Sequence, residues 1–320
     1  MTGSCEELAE AIQKGDRRAV ARAISGIESG DESSVALLKR LFVSSRRSPV
    51  IGLTGSPGTG KSTLVEKLAA AYRRRGLRVG ILAVDPTSPF SGGAILGDRI
   101  RMQSLAVDSG IYIRSMATRG LLGGLAPGVW DAVVVLEACG CDLVIIETVG
   151  IGQDEIEIAR LADVTVLLLV PGAGDSVQAF KAGVMEIADV FVINKSDAGD
   201  TGRTAREIAA MLEMAANPDG WRPPLVRTVA TTGEGVDGVL RAIDDFRVFA
   251  QRTAVARQRT EERWRRRIFE MLRRRLIKRV NRGCDALIAE QVEQICGGRT
   301  DPYSVAEELI RNCFVDGSNH

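Results

Sequence analysis

The chain has 320 residues, of which 45% are apolar, and 42 Lys and Arg residues nearly balance 41 Asp and Glu residues. This length and apolar content can form one large domain with helical extensions, whereas the balanced charge excludes a general attraction to nucleic acid or membranes. The single histidine is His320, which excludes a histidine-based triad and a multi-histidine metal site. The N-terminus resembles no secretory or transit signal, and no apolar run could span a membrane, so we expect a cytoplasmic location.

Residues 1–47 are predicted to form a helical N-terminal extension. Apolar residues recur there at helical spacing, and breaks at residues 15–16 and 29–31 divide the segment into short helices. Residues 45–49 are typical of a linker and lead into a main domain predicted at 48–247. The apolar positions of these helices are Leu8, Ile12, Val20, Ala23 and Ile24.

The sequence GSPGTGKST at residues 55–63 matches the phosphate-binding pattern G-x-x-x-x-G-K-[ST]. It follows the apolar run 49–54 and opens a helix predicted at 61–75, which is the context that this loop requires. Glycines let several backbone N–H groups converge on a phosphate, and the helix N-terminus adds partial positive charge. Lys61 is predicted to reach the β- and γ-phosphates and Ser62 to ligate Mg²⁺. The predicted phosphate-binding residues are Gly55, Ser56, Pro57, Gly58, Thr59, Gly60, Lys61, Ser62 and Thr63.

Short apolar, β-branched runs alternate with helical patterns throughout the main domain. Such runs are typical of strands that are buried on both faces. The alternation predicts an α/β fold with a doubly wound, mainly parallel sheet, whose ligand groups lie at the carboxyl ends of the strands. The predicted strands are 49–54, 78–84, 110–115, 143–147, 164–170, 190–194 and 225–229.

The tetrapeptide Asn194-Lys195-Ser196-Asp197 follows one of these strands. The Asp197 carboxylate can accept hydrogen bonds from N1–H and the 2-amino group of guanine. Adenine offers neither donor, so such a site rejects the wrong base by a factor on the order of 10⁴. Asn194 is expected to brace the loop and Lys195 to cover the purine. The next strand leads into Ala230 and Thr231, where the Ala230 N–H could reach guanine O6, so GTP and GDP are the predicted ligands.

A bound Mg²⁺ needs hard oxygen ligands besides Ser62. Asp85 and Glu147 each end a predicted strand, and this position favours them over Asp98, which lies in the Gly-rich segment 92–102. The Gly150 N–H is a candidate donor to the γ-phosphate. These residues give the sequence a predicted magnesium site.

Hydrolysis requires a positioned water molecule and charge neutralisation at the γ-phosphate. Asp98 is the first candidate to orient the water, and Gln153, just beyond the E-T-V-G sequence, is the second. Lys181 and Arg119 are candidates to supply positive charge beside Lys61.

Residues 248–320 are predicted to form a helical C-terminal extension. Its segment 252–282 carries twelve Arg and one Lys against three Glu, with apolar residues at helical spacing. We interpret it as an amphipathic helix that packs its apolar stripe on a partner and exposes a solvated basic face. A nucleic-acid or membrane patch is the alternative, which the scarcity of aromatic residues disfavours.

The six cysteines are scattered, and reduced thiols are expected in the cytoplasm. Cys139-Gly140-Cys141 has the spacing of a ligand pair and precedes a predicted strand. We interpret it mainly as a structural turn, with metal contact as the alternative, since soft-metal sites normally have more ligands.

Seven motifs in this order resemble those of the methylmalonyl-CoA mutase-associated GTPases of the MeaB/ArgK type, over about residues 5–310. They are GSPGTGKST, VDPTSPFSGGAILGDRIRM, RSMATRGLLGGLA, ETVGIGQDE, PGAGDSVQAFKAG, NKSD and ATTGEG. The resemblance implies a Mg²⁺-dependent P-loop GTPase that acts as a chaperone for an adenosylcobalamin-dependent acyl-CoA mutase, gating cofactor loading and protecting the mutase. It also implies a homodimer, with the C-terminal extension as a dimerisation arm. The balanced charge separately predicts no nucleic-acid or membrane partner.

The resemblance further implies that Ser62, Asp85, Asp98 and Glu147 surround Mg²⁺. It places a switch that communicates with the mutase at residues 171–184, with Asp175, Gln178 and Lys181. The chain departs from many relatives at Val229, where they have serine. Two alternatives stay open: a metallochaperone like the related nickel-insertion GTPases, whose Cys/His motifs are absent here, and a transport-linked kinase.

Overall fold

The computed structural model describes residues 5–44, 46–86, 105, 107–118, 127–148, 157, 160–172, 187–214 and 219–315. The chain divides into two compact units, Met1–Ala256 and Arg257–His320. The predicted domain boundaries at residues 47 and 247 remain predictions.

The first unit is built on a sheet of seven described strands, all parallel, in the order β3-β2-β4-β1-β5-β6-β7. The strands are β1 (Val50–Gly55), β2 (Val79–Pro86), β3 (Ile111–Thr118), β4 (Leu143–Thr148), β5 (Val164–Leu169), β6 (Val190–Ile193) and β7 (Leu225–Arg227). The predicted parallel α/β fold is confirmed, and every predicted strand is present with its ends shifted by at most three residues.

Helices cover both faces of this sheet. The described helices of the unit are α1 (Cys5–Gln13), α2 (Arg17–Ser29), α3 (Ser33–Ser44), α4 (Lys61–Arg74), α5 (Pro127–Ala138), α6 (Thr201–Met214) and α7 (Val236–Arg252). On β4, Ile145 joins the apolar cluster formed with α4 and α7, whereas Ile146 joins the cluster formed with α1, α2, α3 and α5. Burial on both faces explains the continuous apolar runs of the strands, and each large apolar side chain so buried contributes about 1.5–3 kcal/mol.

The three N-terminal helices pack against the sheet face beside α5. Asp16 begins α2 by accepting hydrogen bonds from the N–H groups of Arg18 (2.7 Å) and Ala19 (3.0 Å), as N-cap aspartates do. Gly30 ends the helix in the left-handed conformation, with φ of 73°. The predicted breaks at 15–16 and 29–31 are therefore confirmed, and the predicted N-terminal extension packs as part of the first unit.

The second unit contains most of α8 (Val255–Cys296) and α9 (Pro302–Val315). Arg252 ends α7, whereas most of the basic segment 252–282 lies in α8, a helix of 42 residues. Several of its apolar side chains are exposed: Ile268, Phe269, Met271, Leu272, Leu276 and Ile277. In the described part of the chain, no helix is both long enough and apolar enough to cross a membrane.

Candidate functional site

The loop between β1 and α4 is shaped by two glycines. Gly55 has φ of 145°, and a Cβ at this position would lie 2.3 Å from the carbonyl oxygen of Leu168 on β5. Gly60, the N-cap of α4, has φ of 92°, and its Cβ would lie 2.4 Å from Nδ2 of Asn194. Residues with side chains rarely adopt this conformation, so both the backbone and the surrounding space require glycine there.

The first turn of α4 provides an anion-binding end. No side chain caps Gly60, and the first N–H groups of a helix have no partner within the helix. These N–H groups lie at the positive end of the helix dipole. Both features favour binding of a phosphate at the N-terminus of α4. Lys61 Nζ donates hydrogen bonds to the carbonyl oxygens of Gly55 (2.7 Å) and Ser56 (3.0 Å), so its ammonium group lies over the same loop.

A hydroxyl and a carboxylate meet beside this loop. Ser62, on the first turn of α4, donates a hydrogen bond of 2.6 Å to Oε1 of Glu147, near the end of β4. Both residues are buried. A hydroxyl and a carboxylate are hard oxygen donors of the kind that Mg²⁺ prefers. The pair therefore fits the predicted magnesium ligands.

The backbone brings Asp85 to the same edge of the sheet. On β2, Ala83 is in register with Glu147 and Val84 with Thr148, and Asp85 is the next residue along the strand. β2 and β4 are neighbouring parallel strands, so their carboxyl ends lie at one edge. The position of Asp85 agrees with its predicted role, and that role remains a prediction.

Asn194, directly after β6, links two loops. Its Nδ2 donates a hydrogen bond of 2.8 Å to the carbonyl oxygen of Thr59 in the phosphate-binding loop. Its Oδ1 accepts hydrogen bonds of 3.0 Å from the hydroxyl of Thr228 and from the N–H of Ala230. Asn194 is 2% exposed, so this amide holds the loops after β1, β6 and β7 in one arrangement.

The predicted donor to guanine O6, the Ala230 N–H, is engaged by Asn194 in this arrangement. A guanine carbonyl would have to share it, and the predicted contact remains untested. Thr228 was missing from the predicted site, although it is fully buried and its hydroxyl supports Asn194. The sequence prediction placed Thr228 inside the strand 225–229, and the signal that could have found it is a polar residue two positions before the ATTGEG loop.

Lys195 and Asp197 are exposed next to this buried amide. Lys195 has φ of 55°, an uncommon conformation for a residue with a side chain. The chain therefore turns sharply after Asn194, and the exposed Asp197 carboxylate can meet a ligand from solvent. Thr231 is likewise exposed in the loop after β7.

One known protein family matches most of this chain. The sequence profile of a family described as methylmalonyl-CoA mutase-associated GTPase MeaB matches residues 20–285. The chain belongs to this family. It is 43% identical over 320 residues to a putative GTPase of Pyrococcus abyssi, covering 98% of each chain. It is 38% identical over 260 residues to the mouse protein named methylmalonic aciduria type A homolog, mitochondrial, covering 75% of this chain and 62% of that one.

The same fold is found in a crystal structure titled LAO/AO transport system kinase. The TM-score is 0.72 at 25% sequence identity, and the match covers 97% of this chain and 98% of that one. Membership of the MeaB family implies that the chain binds GTP or GDP.

Several predicted site residues of this MeaB family member lie outside the described residues. They are Asp98, Arg119, Gly150, Gln153, Asp175, Gln178 and Lys181. The predicted roles in orienting water, in donating to the γ-phosphate and in the switch at 171–184 thus remain predictions.

Proposed function

We propose that this MeaB family protein hydrolyses GTP with Mg²⁺ and acts as a chaperone for an adenosylcobalamin-dependent acyl-CoA mutase, gating cofactor loading and protecting the enzyme. The proposal of GTP hydrolysis rests mainly on one observation. Ser62 donates a hydrogen bond to Glu147 beside the phosphate-binding loop, over which the Lys61 ammonium group lies. Asn194 ties that loop to the loops proposed to bind the base.

In the proposed reaction, Lys61 exchanges the carbonyl oxygens of Gly55 and Ser56 for phosphate oxygens. Ser62, Asp85, Asp98 and Glu147 would hold the metal ion, which supplies charge neutralisation at the phosphates. Asp98 or Gln153 orients the attacking water, and Lys181 adds positive charge. These roles supply positioning and electrostatic stabilisation, on which phosphoryl transfer mainly depends.

The base site is proposed from hydrogen-bonding chemistry. Asp197 accepts from N1–H and the 2-amino group of guanine, and the stem of Lys195 covers the ring. The exposure of both side chains supports this role, because a base entering from solvent can reach them. The buried Asn194 amide keeps the loop in place while the ligand exchanges.

The client enzyme is proposed from the family description, which names methylmalonyl-CoA mutase, and from the mouse relative, whose name refers to methylmalonic aciduria. A transport-linked kinase is the second candidate, since a structure of the same fold is titled LAO/AO transport system kinase. The two candidate functions differ in their product. A GTPase releases inorganic phosphate, whereas a kinase transfers the γ-phosphoryl group of the nucleotide to an acceptor.

A homodimer is proposed through α8. The exposed side chains of Ile268, Leu272 and Leu276 recur at four-residue spacing, so they form one stripe along the helix. Exposed apolar stripes of this kind mark interaction surfaces. The substitutions Ile268→Glu and Leu272→Glu should halve the mass measured by light scattering, whereas Val107→Glu, at an exposed site outside α8, should leave it unchanged. If the variant with both α8 substitutions keeps the mass of the wild type, the apolar stripe on α8 is not a dimer interface.

The main experiment measures phosphate release from GTP with Mg²⁺, with and without a purified adenosylcobalamin-dependent acyl-CoA mutase from the same organism. We expect the wild type to release phosphate slowly by itself and faster when the mutase is added. The variant Lys61→Ala should release no phosphate in either case. Absence of any release would overturn the GTPase assignment. Basal release without stimulation, and without a complex on size exclusion, would keep the GTPase and remove the mutase as client.

A further inference from the structure

A thiol pair lies at the opposite end of β4 from Glu147. Cys139 and Cys141 flank Gly140 in the turn that joins α5 to β4. The Gly140 N–H donates to the carbonyl oxygen of Glu137 (3.0 Å), and the Cys141 N–H to that of Leu136 (3.1 Å). With Gly140 at φ of 84°, this is a Schellman turn. It folds the chain so that both cysteines are buried, with 3% and 5% exposure.

Arginine side chains lie beside this pair. Nη2 of Arg78 approaches Sγ of Cys139 at 4.0 Å. A Cβ on Gly140 would lie 2.9 Å from Nη1 of Arg78, so the glycine leaves room for the guanidinium group. Arg78 is an exposed residue, whereas Cys139 beneath it is buried. Among the described residues, the groups that act electrostatically on the pair or its neighbours are Arg78 before β2, Arg17 from α2, Tyr112 from β3 and Asp142 after the turn.

These surroundings shift the pKa values of the two thiols in opposite directions. A hydrogen bond with Cys141 and the positive charges of Arg78 and Arg17 lower the pKa of Cys139 to about 7, against the opposing effect of burial. The same hydrogen bond and burial raise the pKa of Cys141. Cys139 is therefore the thiol that ionises first, and a thiolate is the nucleophile in disulfide exchange.

We infer that Cys139 and Cys141 form a redox-active dithiol, in which Cys139 attacks small-molecule disulfides and Cys141 resolves the mixed disulfide. The arginine side chains favour this role over a soft-metal site, since they stabilise a thiolate and repel a cation. The described residues contain no group of three or more His, Cys, Asp or Glu side chains that could hold a metal ion. The dithiol lies at the end of β4 away from Glu147, and its chemistry does not depend on GTP hydrolysis.

The chemistry balances with a low-molecular-weight disulfide as the oxidant. The Cys139 thiolate attacks one sulfur, forms a mixed disulfide and releases one small thiolate. That thiolate takes the proton of Cys141, whose sulfur then attacks Sγ of Cys139 and displaces the second small thiolate. Two protein thiols become one disulfide, and the small disulfide is reduced to two thiol equivalents. Displacement of the exposed Arg78 side chain opens the path to Cys139.

The test treats the native full-length chain with oxidised glutathione and follows its tryptic peptides by mass spectrometry. The peptide of residues 120–160 contains Cys139 and Cys141 and no other cysteine. We expect it to lose two hydrogens and to regain them with dithiothreitol. Cys5 and Cys296 are exposed and serve as internal references, because they should accumulate glutathione adducts. A 120–160 peptide that stays reduced while these references react would overturn the inference.

Variants separate the two roles. Cys141→Ser should hold glutathione on residue 139, whereas Cys139→Ser should leave residue 141 unmodified; the reverse pattern would contradict the assignment. If either variant fails to fold, the wild-type peptide still decides the inference. Arg78→Gln should react more slowly at pH 6, by about threefold, because loss of the positive charge raises the pKa of Cys139 and the smaller thiolate fraction outweighs the greater nucleophilicity. Arg74→Gln, at an exposed site on α4, is the matched control. Equal reaction rates for the two variants would mean that Arg78 does not activate Cys139.

Discussion

The Ser62 hydroxyl donates a hydrogen bond of 2.6 Å to Oε1 of Glu147, although the two residues are 85 positions apart in the chain. Ser62 belongs to the helix after the phosphate-binding loop and Glu147 to a strand that pairs with β1. The contact joins the loop to the end of β4 and brings together two of the residues proposed above to hold Mg²⁺.

The substitution Glu147→Gln keeps the size of the side chain and one acceptor for Ser62 but removes the negative charge. We expect the Mg²⁺ concentration for half-maximal GTP hydrolysis to rise by about 10–100-fold, as for other groups that support a bound metal. A titration of hydrolysis against Mg²⁺ measures this. Glu137→Gln, at a buried glutamate on α5, is the control and should leave the titration unchanged; equal midpoints for the wild type and Glu147→Gln would contradict the assignment.

The substitution Gly60→Ala should prevent GTP binding and destabilise the fold by about 1–3 kcal/mol, because the added Cβ would lie 2.4 Å from Nδ2 of Asn194 at a positive φ. Gly58→Ala is the matched control, since Gly58 also has a positive φ but nothing within 4 Å of the added Cβ. Urea unfolding and nucleotide titration compare the two variants. Equal losses would mean that backbone strain alone, rather than the contact with Asn194, explains the requirement for glycine.

The substitution Asp197→Asn should weaken GTP binding by a factor on the order of 10² or more, because a carboxylate that accepts two hydrogen bonds becomes an amide. Binding of xanthosine triphosphate should strengthen, since its 2-oxo group can accept from the new amide. Asp197 is exposed, so the unfolding free energy should not change. Glu234→Gln, at an exposed acid in the neighbouring loop, should bind GTP normally. Unchanged GTP affinity of Asp197→Asn would remove Asp197 from the base site.

Glu137 predicts a pH dependence of stability. Burial raises the pKa of its carboxyl group above the ordinary value of 4.5, although the Ser48 N–H and Arg47 act in the opposite direction. A raised folded-state pKa means that the folded protein binds the proton more tightly than the unfolded chain. The resulting stabilisation is present below the unfolded pKa and is lost as the pH rises through the folded pKa.

Urea unfolding of the wild type and of Glu137→Gln between pH 4 and about 7 measures this effect. The unfolding free energy of the wild type minus that of the variant should fall as the pH rises above 4.5, the value from which the pKa is raised. Glu28→Gln, which removes the partly buried partner of Arg114, is compared to show how loss of an ion pair alone changes stability. A difference that increases with pH would show that the ion pair with Arg47 outweighs burial.

The secondary-structure elements and the chemistry of their motifs could be predicted from the amino-acid sequence. Buried parallel strands require continuous apolar runs, so the seven strands could be located within a few residues. The sequence at residues 55–63 combines glycines, a lysine and hydroxyls in a spacing that serves phosphate, and its context between a strand and a helix could be recognised locally. The family resemblance followed from motifs of the same local kind.

The contacts between these elements could not be predicted and become visible in the folded chain. The bonds from Asn194 to Thr59 and from Thr228 to Asn194 join residues 135 and 34 positions apart, and no local pattern encodes them. Placement of the N-terminal helices on one sheet face and of Arg78 beside Cys139 also depends on strand order. The physical reason is that side-chain periodicity specifies the secondary structure of a segment, whereas its neighbours are selected by packing among all segments together.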